Sequence, residues 1–189
     1  MKVEILEIRG NWRQVADAAR TTIGMKPGTG EPPDHWKKRM LLSEHSPIRL
    51  IEVRWRWVDI KYWVSVHLVR HHVGVIPFVR SQRPENIDYD RDEALQSALV
   101  NHEVIANAQA IINISRKRLC GLAAQETRDA WKAFLNELKK YEPILVGCCV
   151  PECIYRGYCY ERPEKSCKYS RSPDFLPRLY QYRCRGFGQ

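Results

Sequence analysis

Residues 51–72 read IEVRWRWVDIKYWVSVHLVRHH. Ile51, Val53, Trp55 and Trp57 alternate with Glu52, Arg54 and Arg56, the period-2 pattern of a strand with one buried face. From Ile60 the period lengthens: Tyr62, Trp63, Val66, Val69 and Arg70 can share one side of a helix, with Val64 and Leu68 beside them. The stretch therefore predicts a strand followed closely by a helix that ends in Arg70-His71-His72.

On the N-terminal side, residues 3–8 alternate weakly and predict a short edge strand leading to Gly10. Residues 11–21 place Trp12, Val15, Ala16 and Ala19 at helical spacing behind Asn11 as N-cap. GMKPGTGEPP over residues 24–33 is a loop, and a helix resumes at Asp34 and ends near His45-Ser46-Pro47. On the C-terminal side, VGVIPFV over residues 73–79 reads as an extended segment, kept out of a sheet centre by Pro77. Residues 83–93 are turn-like, and residues 95–140 read as helical with a break near Gly121. From Tyr141 the chain is rich in Cys, Pro, Tyr and Arg, with little periodicity. Strands and helices in this order predict an α+β fold with helices covering one sheet.

The chain has 189 residues, 44% hydrophobic and 28% charged, enough for one domain with a substantial core and too apolar for disorder. No apolar run reaches membrane-spanning length, and Met1-Lys2-Val3-Glu4-Ile5 lacks the apolar stretch of a signal peptide, so the expected location is the cytoplasm. The net charge of +9 suits a nucleic-acid binder or a protein for small polyanions. Residues 49–83 hold seven Lys/Arg against two acids, so part of that excess sits beside Arg70-His71-His72.

Arg70, His71 and His72, followed by Ser81-Gln82-Arg83, gather charge-assisted donors suited to phosphate or an anionic ring; the same groups would also complement a helix C-terminus. Further on, in a run that continues to Arg118-Leu119-Cys120, Asn107 and Asn113 stand at a spacing that could face one cleft, although two amides on a helix surface would show the same pattern.

Together these pieces resemble the flavin-dependent thymidylate synthases, the ThyX family. That family's signature is Arg-His-Arg, seven residues, Ser, then Arg two residues further on. Arg70-His71-His72 with Ser81 and Arg83 is similar to it, and His45 precedes the motif at the family's spacing. Asn107-Ala108, Asn113 and Arg118-Leu119-Cys120, then Ala124-Gln125 and Glu126, resemble its later run; the match covers roughly residues 12–140. The departures are His72 at the third motif position, Ser81 one residue late with Arg80 in its place, and a shortened stretch between Arg83 and Asn107.

The resemblance implies a twisted, largely antiparallel sheet flanked by helices, with residues 1–145 a flavin- and nucleotide-binding domain; residues 146–189 are left as a Cys-rich irregular tail. It implies transfer and reduction of a one-carbon unit from methylenetetrahydrofolate to C5 of dUMP, giving dTMP, with FAD as cofactor and NADPH as reductant. Arg118 takes the catalytic position; His45, Arg70, His71, His72, Asn107, Gln109 and Asn113 fall at cofactor positions; His67, Arg80, Ser81, Gln82, Arg83 and Arg91 fall at nucleotide positions. It further implies a homotetramer with sites between subunits.

The tail lies outside that resemblance. Cys149, Cys153, Cys159 and Cys167 supply four thiolates over a short span, enough for a structural zinc or an iron–sulfur cluster, though without paired C-x2-C knuckles. Free thiols among Tyr and Arg are the alternative. A different pyrimidine-modifying flavoenzyme and a basic zinc-containing nucleic-acid module are the competing functions; the clustering of charge near the nucleotide positions disfavours nucleic acid.

Overall fold

The fold is described from a computed structural model covering residues 1–184. Four strands form one antiparallel sheet in the order β1-β2-β4-β3: β1 is Lys2–Arg9, β2 Glu52–Lys61, β3 Val75–Val79 and β4 Leu99–Asn107. Between β1 and β2 lie helices α1 (Trp12–Thr21) and α2 (Asp34–Leu42) and a 3-10 turn at Ser46–Leu50; α3 (Tyr62–Val69) joins β2 to β3. After β4 come α4 (Ala108–Arg118) and α5 (Gln125–Leu138), then α6 (Pro143–Gly147), α7 (Glu152–Arg156) and α8 (Phe175–Cys184).

The alternation in β2 does what its pattern requires. Val53, Trp55 and Trp57 are buried, and from β4 they are joined by Val100, His102, Val104 and Ala106. Helices α4 and α5 supply the opposite wall: Trp55 stacks on Phe134 with ring centroids 4.0 Å apart, and Trp131 lies edge-on to Trp55 at 6.2 Å. The indole N–H groups are mostly paired, Trp57 Nε1 to the Ala130 carbonyl at 3.0 Å and Trp131 Nε1 to Ser115 Oγ at 2.9 Å. Burying a side chain such as Phe134 contributes roughly 1.5–3 kcal/mol, so this aromatic layer is a large share of the fold's stability.

The other face of the sheet is open. Arg54 and Arg56 of β2 both reach Glu103 of β4, through Nε at 2.7 Å and Nη2 at 2.9 Å, which accounts for two of the cations counted in residues 49–83. Beside them Ile76 and Phe78 of the edge strand β3 are exposed. Pro77 is tolerated there because β3 pairs on one side only.

The junction from β2 to α3 is immediate. The register shifts between Trp57 and Ile60, where Asp59 adopts φ 58°, and Asn101 Oδ1 accepts from the Asp59 N–H at 3.3 Å. The first N–H groups of α3 find partners outside the helix: Tyr62 N donates to Ala98 O and Trp63 N to Gln96 O.

One expectation fails here. Residues 99–107 are a strand, not the start of a helix running from Leu95; the helix begins only at Ala108, capped by Asn107 Oδ1 accepting from Ala110 N at 2.9 Å. The segment after Tyr141 holds three short helices. Its first part, Leu145, Cys148 and Cys149, joins the main core, while Val150, Ile154, Phe175 and Tyr182 form a second small cluster against Leu42.

Candidate functional site

The last turn of α4 meets the end of α3. Arg118 Nε donates to His71 Nε2 at 2.8 Å, and its Nη2 donates to the His67 carbonyl, one of the four carbonyls that α3 leaves without an intrahelical partner. His67 is held in turn by its Nδ1 pairing with Thr127 Oγ1 of α5 at 3.1 Å. Burial, followed by Arg118, Arg70 and His72, pushes the His71 imidazole down to about 4, so it is neutral at pH 7. A neutral ring accepting at Nε2 carries its proton on Nδ1. Arg118 is half-buried, lies close enough to Arg70 to feel its charge, and among the described residues pairs with no carboxylate.

Arg70 caps α3 and His72 Nδ1 lies 3.3 Å from the Arg70 carbonyl, so all three motif residues stand at one helix end beside Arg118. Of the expected nucleotide positions, His67 is on α3, while Arg80, Ser81, Gln82, Arg83 and Arg91 follow β3. Ser81 Oγ accepts from Arg83 N at 3.2 Å, Gln82 Nε2 donates to Tyr89 OH at 3.4 Å, and Arg80 Nη2 donates to Asn86 O at 3.4 Å. Arg91 is exposed and pairs with its neighbour Asp92 at 3.5 Å. Among the described residues, Arg70, Arg80 and Arg83 form no ion pair, unlike Arg54 and Arg56.

A second group of the expected residues is gathered elsewhere. Gln109 Nε2 donates to Glu44 Oε2 at 2.6 Å and to Asn113 Oδ1 at 3.3 Å; Arg116 Nη1 also donates to Asn113 Oδ1, at 3.0 Å, and Arg116 Nη2 pairs with Glu44. The Arg116 guanidinium lies 3.4 Å over the Tyr155 ring. Gln109 and Asn113 thus bond to each other directly and both contact a partly buried ion pair, with Asn113 itself exposed. Asn107 acts as the α4 cap, and its backbone N–H donates to Gly74 O at 3.2 Å. His45 is exposed and follows Glu44 at the end of α2.

Glu44 and Arg116 were not singled out in the sequence, and Thr127 was given no site role. Glu44 holds φ 52° at the position after the α2 C-cap, where its N–H donates to Leu41 O and the His45 N–H to Met40 O; glycine is the usual residue there. A glutamate kept in left-handed backbone at the edge of this group is the one local signal of a constrained position.

Among the described residues no three His, Cys, Asp or Glu side chains come together closely enough to hold a single metal ion. Cys149 is buried, with its thiol donating to Leu145 O at 3.4 Å. No described helix is long and apolar enough to cross a membrane.

No protein-family model matches the sequence, and no curated protein matches it. The fold is similar to two solved structures of the flavin-dependent thymidylate synthase ThyX from Helicobacter pylori, each complexed with FAD and dUMP. The TM-scores are 0.65 and 0.64, with 13% identity; the matches cover 79% of this chain and 100% and 99% of the other. At that identity the likeness establishes a shared α+β architecture: one antiparallel sheet carrying its helices.

Proposed function

We propose that this chain is a flavin-dependent thymidylate synthase-like enzyme that binds FAD and a pyrimidine nucleotide, with dUMP as the expected substrate, methylenetetrahydrofolate as one-carbon donor and NADPH as reductant. The observation that carries the reading is the Arg118 guanidinium: half-buried, oriented by the neutral His71 and the His67 carbonyl, and without a carboxylate partner among the described residues. A cation kept out of bulk water without a counter-ion suits a site that receives negative charge from a ligand.

The donor set fits the proposed ligands. Among the described residues Arg70, Arg80 and Arg83 form no ion pair, which suits them to a diphosphate and a nucleotide phosphate, and His71 and His72 add polar contacts beside them. Bound FAD would supply the redox chemistry of the reaction. Arg118 holds the uracil carbonyl edge and stabilises the charge that develops there, while His71 fixes the guanidinium so that no reorganisation is needed during reaction. Ser81, Gln82 and Arg83 hold the nucleotide, and His67 positions Arg118 through its carbonyl.

The edge strand β3 supports an assembled enzyme, expected as a homotetramer with shared sites. Ile76 and Phe78 are exposed on it, between Arg70 at one end and Arg80 at the other, so a subunit covering this edge would lie between the proposed phosphate contacts. The test is flavin content together with tritium release from C5-labelled dUMP in the presence of methylenetetrahydrofolate and NADPH. A yellow protein that releases tritium supports the reading; a protein that cannot be loaded with FAD, yet binds DNA with steep salt dependence, overturns it.

A further inference from the structure

Beyond the end of α4, five of the cysteines border one cavity of about 770 Å³ between the α4–α5 turn and the segment after α6. They come from separate pieces of chain: Cys120 from the turn after α4, Cys149 from just after α6, Cys153 from α7, Cys159 from the loop beyond it, and Cys167 from the stretch before a 3-10 turn at Tyr169–Arg171. Two left-handed residues shape that loop, Gly157 with φ 91° and Lys168 with φ 61°. Cys167 packs against the α4–α5 turn so closely that a Cβ on Gly121 would stand 2.8 Å from its Cβ.

We infer that Cys120, Cys153, Cys159 and Cys167 are the ligands of an iron–sulfur cluster held in this cavity. A single zinc ion requires its sulfurs about 2.3 Å from one point. The cysteines here border a cavity, and among the described residues no three His, Cys, Asp or Glu side chains come close enough for one ion. That is the arrangement a multi-atom cluster needs, because each cysteine binds a different iron.

Cys149, which the sequence grouped with the tail thiols, is the exception on this wall. It is 4% exposed in the main core and its thiol is engaged by Leu145 O. Cys120 takes its place and ties the tail to the sheet domain. The lining carries six Lys/Arg, among them Arg128, Lys132 and Arg156, against two carboxylates, Glu152 and Glu161. A cluster with four thiolates is anionic, so these cations offset its charge and account for basic residues that the nucleotide positions leave over.

The proposal does not depend on the flavin reading and is tested without it. Full-length protein is purified anaerobically, and iron, acid-labile sulfide, zinc and FAD are measured per chain, with the EPR spectrum of the reduced protein. Roughly four iron and four sulfide per chain are expected, as for a four-cysteine cubane. C120S, C153S, C159S and C167S each lower iron at least threefold, while C148S and C149S leave it unchanged. Wild-type protein that stays iron-free after incubation with ferrous iron and sulfide overturns the proposal, even if a variant fails to fold. So does zinc without sulfide, or a C149S variant that loses iron as C153S does. Because FAD is quantified separately, an iron-free yellow protein and a colourless iron protein are told apart.

Discussion

Arg118 and His71, 47 residues apart in the chain, are joined by a 2.8 Å hydrogen bond in which the guanidinium donates and the imidazole accepts. That direction requires a neutral ring, and the surroundings of His71 keep it neutral. The pair makes the end of α3 and the end of α4 one unit, with the Arg118 charge also resting on the carbonyl end of α3.

Replacing Arg118 separates the two things it does. Arg118→Ala is expected to keep FAD and the fold but to lower tritium release from dUMP by about 100- to 1000-fold, the cost of removing a fixed donor from developing negative charge. Arg118→Lys restores the charge without the two-nitrogen geometry and should recover only a small part of the rate. Unchanged turnover in Arg118→Ala would remove Arg118 from the chemistry and leave it a helix-capping residue.

Acid should weaken the fold through two histidines. Burial depresses His102 to about 4, and burial together with Arg118 and its neighbours depresses His71 to about 4, against an ordinary value of 6.5. Each group binds a proton more readily in the unfolded chain. Stability is therefore fully present above pH 6.5, falls as pH drops through the interval down to about 4, and levels off below it as far as these groups are concerned. His102 pairs with Ser65 Oγ at 3.1 Å through Nδ1, and its Nε2 has no partner among the described residues. A His102→Gln variant should show a shallower fall in urea midpoint between pH 7 and 4; an equally steep fall would rule out His102 as a source.

The Glu44–Arg116 pair should contribute to stability independently of any ligand. Its side chains are 23% and 12% exposed, and Glu44 also accepts from Gln109 at 2.6 Å. Glu44→Ala leaves Arg116 with Asn113 and the Tyr155 ring but no counter-ion, and should cost about 1–3 kcal/mol in urea unfolding, less than for a fully buried pair broken on one side. Arg116→Met with Glu44→Gln, which removes both charges, should cost less than Glu44→Ala alone. If the double variant is the weaker of the two, the pair is not the source of the effect.

These groups differ in how well the sequence announced them. The alternation of Val53, Trp55 and Trp57 made β2 legible, because each outward position there is charged and each inward one apolar. In β4 the inward positions are Val100, His102, Val104 and Ala106. The histidine breaks the apolar pattern, and Val100, Val104 and Ala108 also satisfy helical spacing, so the strand merges on paper with the helix that follows it. Arg118 was identified by the family resemblance, which its spacing from Asn107 and Asn113 helped to carry, but its contact with His71 is set by packing of α3 and α4 that no local pattern encodes. Glu44 gave no signal, since left-handed backbone after a helix is ordinarily marked by glycine or asparagine. The cysteines were visible as a tail cluster. That Cys120 belongs with them depends on the chain turning back over Gly121, which spacing along the sequence does not record.

Gly10 and Gly24 offer a contrast that tests how tightly β1 is joined to the rest. Both have positive φ, 75° and 70°, so an alanine at either costs about 1–2 kcal/mol from backbone strain alone. Around Gly24 there is open space, and strain is the whole effect. At Gly10 an added Cβ would lie 1.9 Å from the Leu50 carbonyl oxygen, in the turn whose next residue, Ile51, is buried and supplies the carbonyl that accepts from Ala108 N at 2.8 Å. The strand, the turn before β2 and the first turn of α4 would all have to move together. Gly10→Ala should therefore lose at least twice the stability of Gly24→Ala in urea unfolding. Equal losses would mean that the approach of Gly10 to Leu50 relaxes freely, and that β1 is more loosely attached than its hydrogen bonds to β2 suggest.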